Sequence, residues 1–214
     1  MFKINYRIVE SYKQLKALDA RAYDNEWANI EGLIELQFGE SSIGYMYDGE
    51  ITTEMYDAGC FQDELLVSWF KNLLDTVVAL QQSDYVTLCE IECPQIIEFS
   101  KQGEQLIVRE VKTKYDMNKN IISIGTPTIS LGKLKCIVEL KSGKKIEEEI
   151  KLSETSFKKV SILQSEFEKE VLTKSIQFVD EIAIQYPWLI QSRTFTGLNE
   201  QIENVRLLIK HLLS

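Results

Sequence analysis

The chain has 214 residues, enough for one domain of generous size or two small ones, and its 44% apolar and 27% charged content fit an ordinary folded protein rather than a disordered one. No uncharged apolar run is long enough to span a bilayer. The formal charge of −9 is unevenly laid down: residues 22–100 carry sixteen acidic residues and one basic residue, Lys71, whereas residues 1–21 hold five basic and two acidic and residues 101–214 eighteen basic and fifteen acidic.

A segment of that sign attracts cationic partners, speeds their arrival and disfavours nucleic-acid phosphates. The N-terminus, MFKINYRIVESYKQ, lacks the basic start, apolar run and small-residue cleavage site of an export signal. A cytoplasmic protein with reduced thiols is the expectation.

The first element, FKINYRIVE, alternates as a strand with Phe2, Ile4, Tyr6 and Ile8 on its inner face. Residues 11–21 suit a short helix with Ser11 as N-cap. EGLIELQFG is a second strand, with Ile34, Leu36 and Phe38 on one face and Glu31 and Glu35 on the other. Residues 44–47 are placed to pair with it through the turn at 39–42. Residues 63–81 give the clearest helix: Leu65, Leu66, Trp69, Phe70, Leu73, Leu74, Val77 and Val78 recur at helical spacing. Strands follow at 85–92, 95–100 and 104–112. Beyond 121, LKCIVELKSGKKIEEEIKL reads as a hairpin turning at 141–144, with Cys136, Val138 and Leu140 inward and Ile146 and Ile150 opposite. A long helix is expected over 155–185, marked by Phe157, Val160, Leu163, Phe167, Val171, Ile176, Val179 and Ala183 and ended by Pro187. A last helix is expected over 198–213. The fold class is therefore α+β: a mainly antiparallel sheet with a packed amphipathic helix, then a hairpin and two C-terminal helices. One domain over 1–214 is expected, with sub-units 1–112, acidic, and 121–214, and with three to five strands in the first.

Catalytic patterns are sparse. Cys89 and Cys93, four apart on a strand, stand roughly 13 Å apart, too far to share one zinc ion. The single histidine, His211, suits a helix end. GTPTISLGK has the wrong spacing for a phosphate-binding loop. Glu110–Val111–Lys112, with Glu90 or Glu92 on an earlier strand, resembles the metal site of restriction-like nucleases, in which two carboxylates hold Mg²⁺ and the lysine polarises water. The Pro-Asp that usually precedes it is missing, and the acidic field would repel a nucleic-acid substrate. Asp63 and Glu64 also suit the first turn of the helix that follows them. Tyr23, Trp27, Tyr45, Tyr47, Tyr56 and Phe61 are interleaved with the acids, a composition that anchors Lys and Arg at interfaces.

YDNEWANIEGLIELQFG and YDAGCFQDELLVSWFKNLL, within residues 20–80, resemble bacterial immunity proteins encoded beside polymorphic or contact-dependent toxins. The resemblance implies a cytosolic inhibitor that blocks a toxin domain by tight binding. The expected function is thus a non-enzymatic binding protein that neutralises a basic toxin domain through an acidic face. Glu31, Glu35, Tyr45, Tyr47, Asp57, Asp63 and Glu64 are the candidate partner-binding residues. No catalytic residue, metal or cofactor is expected, and neither nucleic acid nor membrane is a partner. The alternatives are a metal-dependent hydrolase or nuclease using acidic residues, and a structural or regulatory interaction module.

Overall fold

The computed structural model describes residues 1–9, 15–16, 18–52, 54–55, 64–89, 95–114, 121–125, 127–149 and 151–212; for 113–114, 121–125, 151 and 211–212 only the main chain is described. The chain is α+β, and every strand pairing among the described residues is antiparallel. It divides into two compact units, the first built from residues 1–74 and 166–214 and the second from 75–165. The sequence division near 112–121 falls inside the second unit.

The first unit contains a four-stranded sheet of β1 (Phe2–Ile8), β2 (Glu31–Phe38), β3 (Ser41–Gly44) and β4 (Glu64–Leu65), with β2 central and β1 at one edge. The alternation of FKINYRI and EGLIELQF sends Phe2, Ile4, Ile34, Leu36 and Phe38 to one buried face. A chain of rings covers that face. Phe2 meets Phe38 and Phe167, Tyr6 packs edge-on against Phe70 and Phe178, and Phe70 stacks on Phe178 with centroids 4.7 Å apart. Each such pair adds about 0.5–1.5 kcal/mol beyond the area it buries.

The longer helices of this unit among the described residues are α1 (Ala20–Glu26), α3 (Gln164–Gln185) and α4 (Arg193–Leu212), together with the first half of α2 (Leu66–Leu80), which runs across the 74/75 boundary. The α2 helix matches the periodicity of its sequence but is capped otherwise than expected. Asn29 Oδ1 accepts the Val67 N–H at 3.0 Å, and the Ile30 carbonyl accepts that of Leu66. Glu64 lies before the helix, in β4, paired with Gly32. Within the helix expected over 11–21, the described residues Leu15 and Lys16 are helical. A separate helix, α1, follows, capped by Asp19, whose carboxylate accepts the Ala22 N–H at 2.7 Å. Ser11 lies outside the described residues.

The buried stripe of α3 is Phe167, Val171, Ser175, Phe178 and Ile182. The small Ser175 fits there because its hydroxyl donates to the Val171 carbonyl one turn back. In α4, Phe195, Leu198, Ile202 and Val205 are buried. The helix begins five residues earlier than its apolar pattern suggests, with Ser192 Oγ accepting the Phe195 N–H.

The second unit holds a six-stranded sheet in the order β12–β7–β6–β5–β9 and a three-stranded one in the order β11–β10–β8. These strands are β5 (Tyr85–Cys89), β6 (Gln95–Gln102), β7 (Gln105–Lys114), β8 (Ile121–Gly125), β9 (Ile129–Leu131), β10 (Lys135–Leu140), β11 (Lys145–Glu149) and β12 (Lys151–Glu154). A further strand, β13 (Val160–Leu163), also pairs with β7. Residues 160–163, expected to be helical, are therefore a strand. Val160 and Leu163 continue a helical spacing, but pairing with Gln105–Val108 wins, and α3 begins only at Gln164. The expected hairpin is β10–β11: Gly143, at φ +77°, turns the chain, and Cys136 and Val138 join Cys89, Ile96, Val111 and Leu134 in a buried cluster. Among the described residues, 1–112 contain seven strands rather than three to five, because 41–44 and the two-residue β4 add to β1, β2, β5, β6 and β7. No helix among the described residues is long and apolar enough to cross a membrane.

Candidate functional site

The expected partner-binding residues separate into three groups. Glu31 and Glu35 both stand half-buried on β2, on the face opposite the aromatic core. The Asn5 amide, its neighbour across the sheet, donates to Glu35 Oε2 at 2.9 Å. Glu31 lies four residues away along the strand, roughly 13 Å, at the end where β4 pairs. Glu64 belongs to that same end, but its carboxylate accepts the Trp69 indole N–H at 2.8 Å. Tyr45 and Tyr47 follow β3; Tyr45 is 49% exposed, whereas Tyr47 is half-buried. Asp57 and Asp63 lie outside the described residues, as do Glu90, Glu92, Cys60 and Cys93, and the His211 side chain is not described. Cys89 and Cys136 are buried free thiols. Glu110 and Lys112 share one face of β7 by register.

One groove of the first unit, of about 640 Å³, is lined in part by one of these residues, Glu35. It is lined by Ile4, Asn5, Tyr6, Glu35, Met46, Asp48, Lys174, Gln177 and Glu181. Three separate segments build it. The first is the β1–β2 pair, which supplies Asn5 and Glu35.

The second is the 45–50 segment, which crosses above that face. Arg7 holds it there, donating from one terminal nitrogen to the Tyr47 carbonyl at 2.9 Å and the Gly49 carbonyl at 2.6 Å. A Cβ at Gly49 would stand 2.3 Å from the Tyr47 hydroxyl, so the Tyr47 ring would have to swing aside. Met46 and Asp48 are thereby set at the rim. Gly44, at φ +84°, starts the segment, and a Cβ there would meet the Ile34 carbonyl oxygen at 2.3 Å.

The third is α3. Its residues Glu166, Glu170, Lys174, Gln177 and Glu181 each precede a residue of the buried stripe, so they form a polar stripe rotated by about 100° from it. This stripe faces β1. Glu170 Oε1 accepts the Ile4 N–H at 3.0 Å, Glu166 pairs with the N-terminal ammonium at 3.6 Å, and Glu181 Oε2 accepts the Tyr6 hydroxyl at 3.1 Å. Burial, and then the Glu181 charge beside it, push the Tyr6 phenol well above its usual value, so Tyr6 stays a neutral donor.

The groove thus presents three carboxylates, Glu35, Asp48 and Glu181, against one ammonium, Lys174. The carboxylates ring the cavity: among the described residues no three His, Cys, Asp or Glu side chains are grouped to hold a metal ion. Such spacing suits an extended cation, a guanidinium or ammonium on a side chain, better than a point charge. Of the candidate partner-binding residues, Glu35 lines the groove, and Tyr47 stands in the chain between two lining residues, Met46 and Asp48. Asp48 was legible only as one acid of a long acidic stretch. Glu181 and Lys174 carried no local signal, since they come from a helix more than 120 residues further along the chain.

No protein-family model matches the chain, and neither the curated proteins nor the solved structures contain a match.

Proposed function

We propose that this chain is a non-enzymatic binding protein that holds a basic protein partner through the acidic groove of its first unit. We further propose that it acts in the cytoplasm as an immunity protein, neutralising a basic toxin domain. The observation that carries the reading is the convergence of Glu35, Asp48 and Glu181, from three separate segments, on one groove. The charge distribution agrees. Residues of the first unit comprise twenty acidic and eleven basic side chains, which accounts for the whole −9, whereas the second unit has thirteen of each and is neutral. A field concentrated on one unit steers a cationic partner to it and sets the encounter rate more than the lifetime of the complex.

The experiment is purification of the protein with its bound partner from the native host, followed by association kinetics of the isolated partner with the wild type and with Glu31→Lys/Glu35→Lys/Asp48→Lys. The triple reversal is expected to slow association by about tenfold or more at low salt and to flatten its dependence on ionic strength. Co-expression with the partner is expected to restore growth that the partner alone prevents. An acidic partner, or unchanged association of a folded triple variant, refutes the reading.

A further inference from the structure

The groove has a second property besides its charge. It is lined by three consecutive residues of β1, Ile4, Asn5 and Tyr6, whose side chains point alternately to the two faces of the sheet. A cavity bordered by all three opens on the edge of the strand. That edge is the outer one: β1 is terminal in its sheet, and β2 is its only partner among the described residues. Hydrogen bonding fixes which main-chain groups face outward. The Val9 N–H donates to Glu31 and the Gly39 N–H to Met1, so the odd residues of β1 bond to β2 and the even ones turn their N–H and C=O groups away from it. The bond from the Ile4 N–H to Glu170 on α3 follows from the same parity. Beyond Ile4, the main chain of Tyr6 and Ile8 presents the next donors and acceptors of an edge with no strand paired to it among the described residues, beside the groove wall formed by Lys174, Gln177 and Glu181. A strand edge flanked by a helix is the geometry in which an extended peptide adds as a further strand.

We propose that the groove between β1 and α3 takes an extended basic segment of the partner protein as an added strand, its main chain pairing with Tyr6 and Ile8 and an Arg or Lys side chain lying among Glu35, Asp48 and Glu181. Charge complementarity selects this occupant: three carboxylates and one ammonium leave the cavity net negative within a unit that carries the whole excess acidity. Main-chain pairing supplies affinity that any extended segment could use, and the carboxylates supply the preference for a basic one. The proposal rests on the acidic-groove reading above and adds to it the conformation of the ligand.

The test uses the full chain and a defined probe, an acetylated and amidated octapeptide of alternating arginine and threonine. Its controls are the glutamate–threonine counterpart and the fully N-methylated form. Amide hydrogen exchange is followed residue by residue with and without peptide. The arginine peptide is expected to slow exchange at Tyr6 and Ile8 by about tenfold or more, and to leave Asn5 and Arg7, already bonded to β2, unchanged. N-methylation is expected to weaken binding by about tenfold or more, and Asp48→Lys, at an exposed position, by about three- to tenfold. Salt-dependent binding of the arginine peptide without protection at Tyr6 and Ile8 overturns strand addition and leaves the acidic-groove reading standing. Equal protection by the glutamate peptide overturns both. Absence of binding by either peptide overturns the proposal, while the reading itself remains subject to the kinetics of the natural partner.

Discussion

Asp24 ties the N-terminal part of the first unit to its C-terminal helix, and its removal has a calculable effect. One carboxylate oxygen accepts the Arg193 N–H at 2.8 Å; the other accepts the Thr194 N–H at 3.0 Å and the Thr194 hydroxyl at 2.8 Å. Two of the otherwise orphaned donors at the start of α4 are thus satisfied by a residue about 170 positions earlier. The side chain is 6% exposed, whereas Arg193 is 82% exposed, so the ion pair between them adds little and the hydrogen bonds dominate. Loss of an N-terminal cap costs about 0.5–2 kcal/mol, and water can reach the donors left behind at exposed Arg193 and half-buried Thr194. Asp24→Ala should therefore destabilise the first unit by about 1–2 kcal/mol. Asp24→Asn, which keeps one acceptor oxygen, should cost about half of that. All three tryptophans, Trp27, Trp69 and Trp188, belong to this unit, so Trp fluorescence in urea reports on it alone. The alanine variant's midpoint should fall by about 1 M. The dependence on pH gives a sharper check. Burial pulls the Asp24 carboxyl upward, but the bonds from Arg193 and Thr194 together hold it below its ordinary value of 3.8. A depressed pKa in the folded state gives stability that is fully present above the ordinary pKa and is lost as pH falls through the folded one. The gap between wild type and Asp24→Asn should hold at neutral pH and close as the pH drops below about 4. Equal urea midpoints at pH 7, or a gap that persists undiminished in acid, would refute the capping argument.

Two further outcomes test the framework that shapes the groove and the second unit. Gly44→Ala places a Cβ 2.3 Å from a main-chain carbonyl oxygen at a φ of +84°, and neither can relax cheaply; a loss of more than about 2 kcal/mol in the same fluorescence assay is expected. Glu98, 2% exposed on β6, accepts the Tyr85 hydroxyl and the Arg109 guanidinium N–H, so Glu98→Ala strands two donors and should cost about 2–4 kcal/mol, read as faster amide exchange along β5, β6 and β7.

Local patterns predicted local structure well. Period-two alternation located β1 and β2 with their inward faces, helical spacing located α2, and the KSGK turn located the β10–β11 hairpin. What escaped was decided by distant partners. Phe157, Val160 and Leu163 continue the spacing of Phe167 and Val171, so nothing local announces that residues 160–163 will pair with β7 instead. Glu64 has the sequence position of a first-turn acid, yet the pairing of β4 with β2 and the caps from Asn29 and Ile30 delay the helix to Leu66. The groove was half legible for the same reason. Glu35 declares its face through the alternation of β2, whereas Glu181 reaches the groove only because α3 lies along the edge of β1.

The acidic stretch illustrates how little a run of charges says about a surface until the fold sorts it. Residues 22–100 read as one negative segment, but the fold divides them between two units, and the basic residues of 101–165 bring the second to neutrality. Within the stretch, individual acids are drawn into different work. Asp24 caps α4, Glu64 receives the Trp69 indole, and buried Glu98 pairs with Arg109 and accepts the Tyr85 hydroxyl. Such carboxylates are committed to internal partners, and reversing them would test folding rather than recognition. Asp48 is placed differently, exposed at a cavity on the edge of a sheet, where it meets Glu35, which accepts the Asn5 amide, and Glu181 of α3. Charge reversal at Asp48 therefore discriminates between recognition and stability in a way that the same change at Asp24, Glu64 or Glu98 cannot.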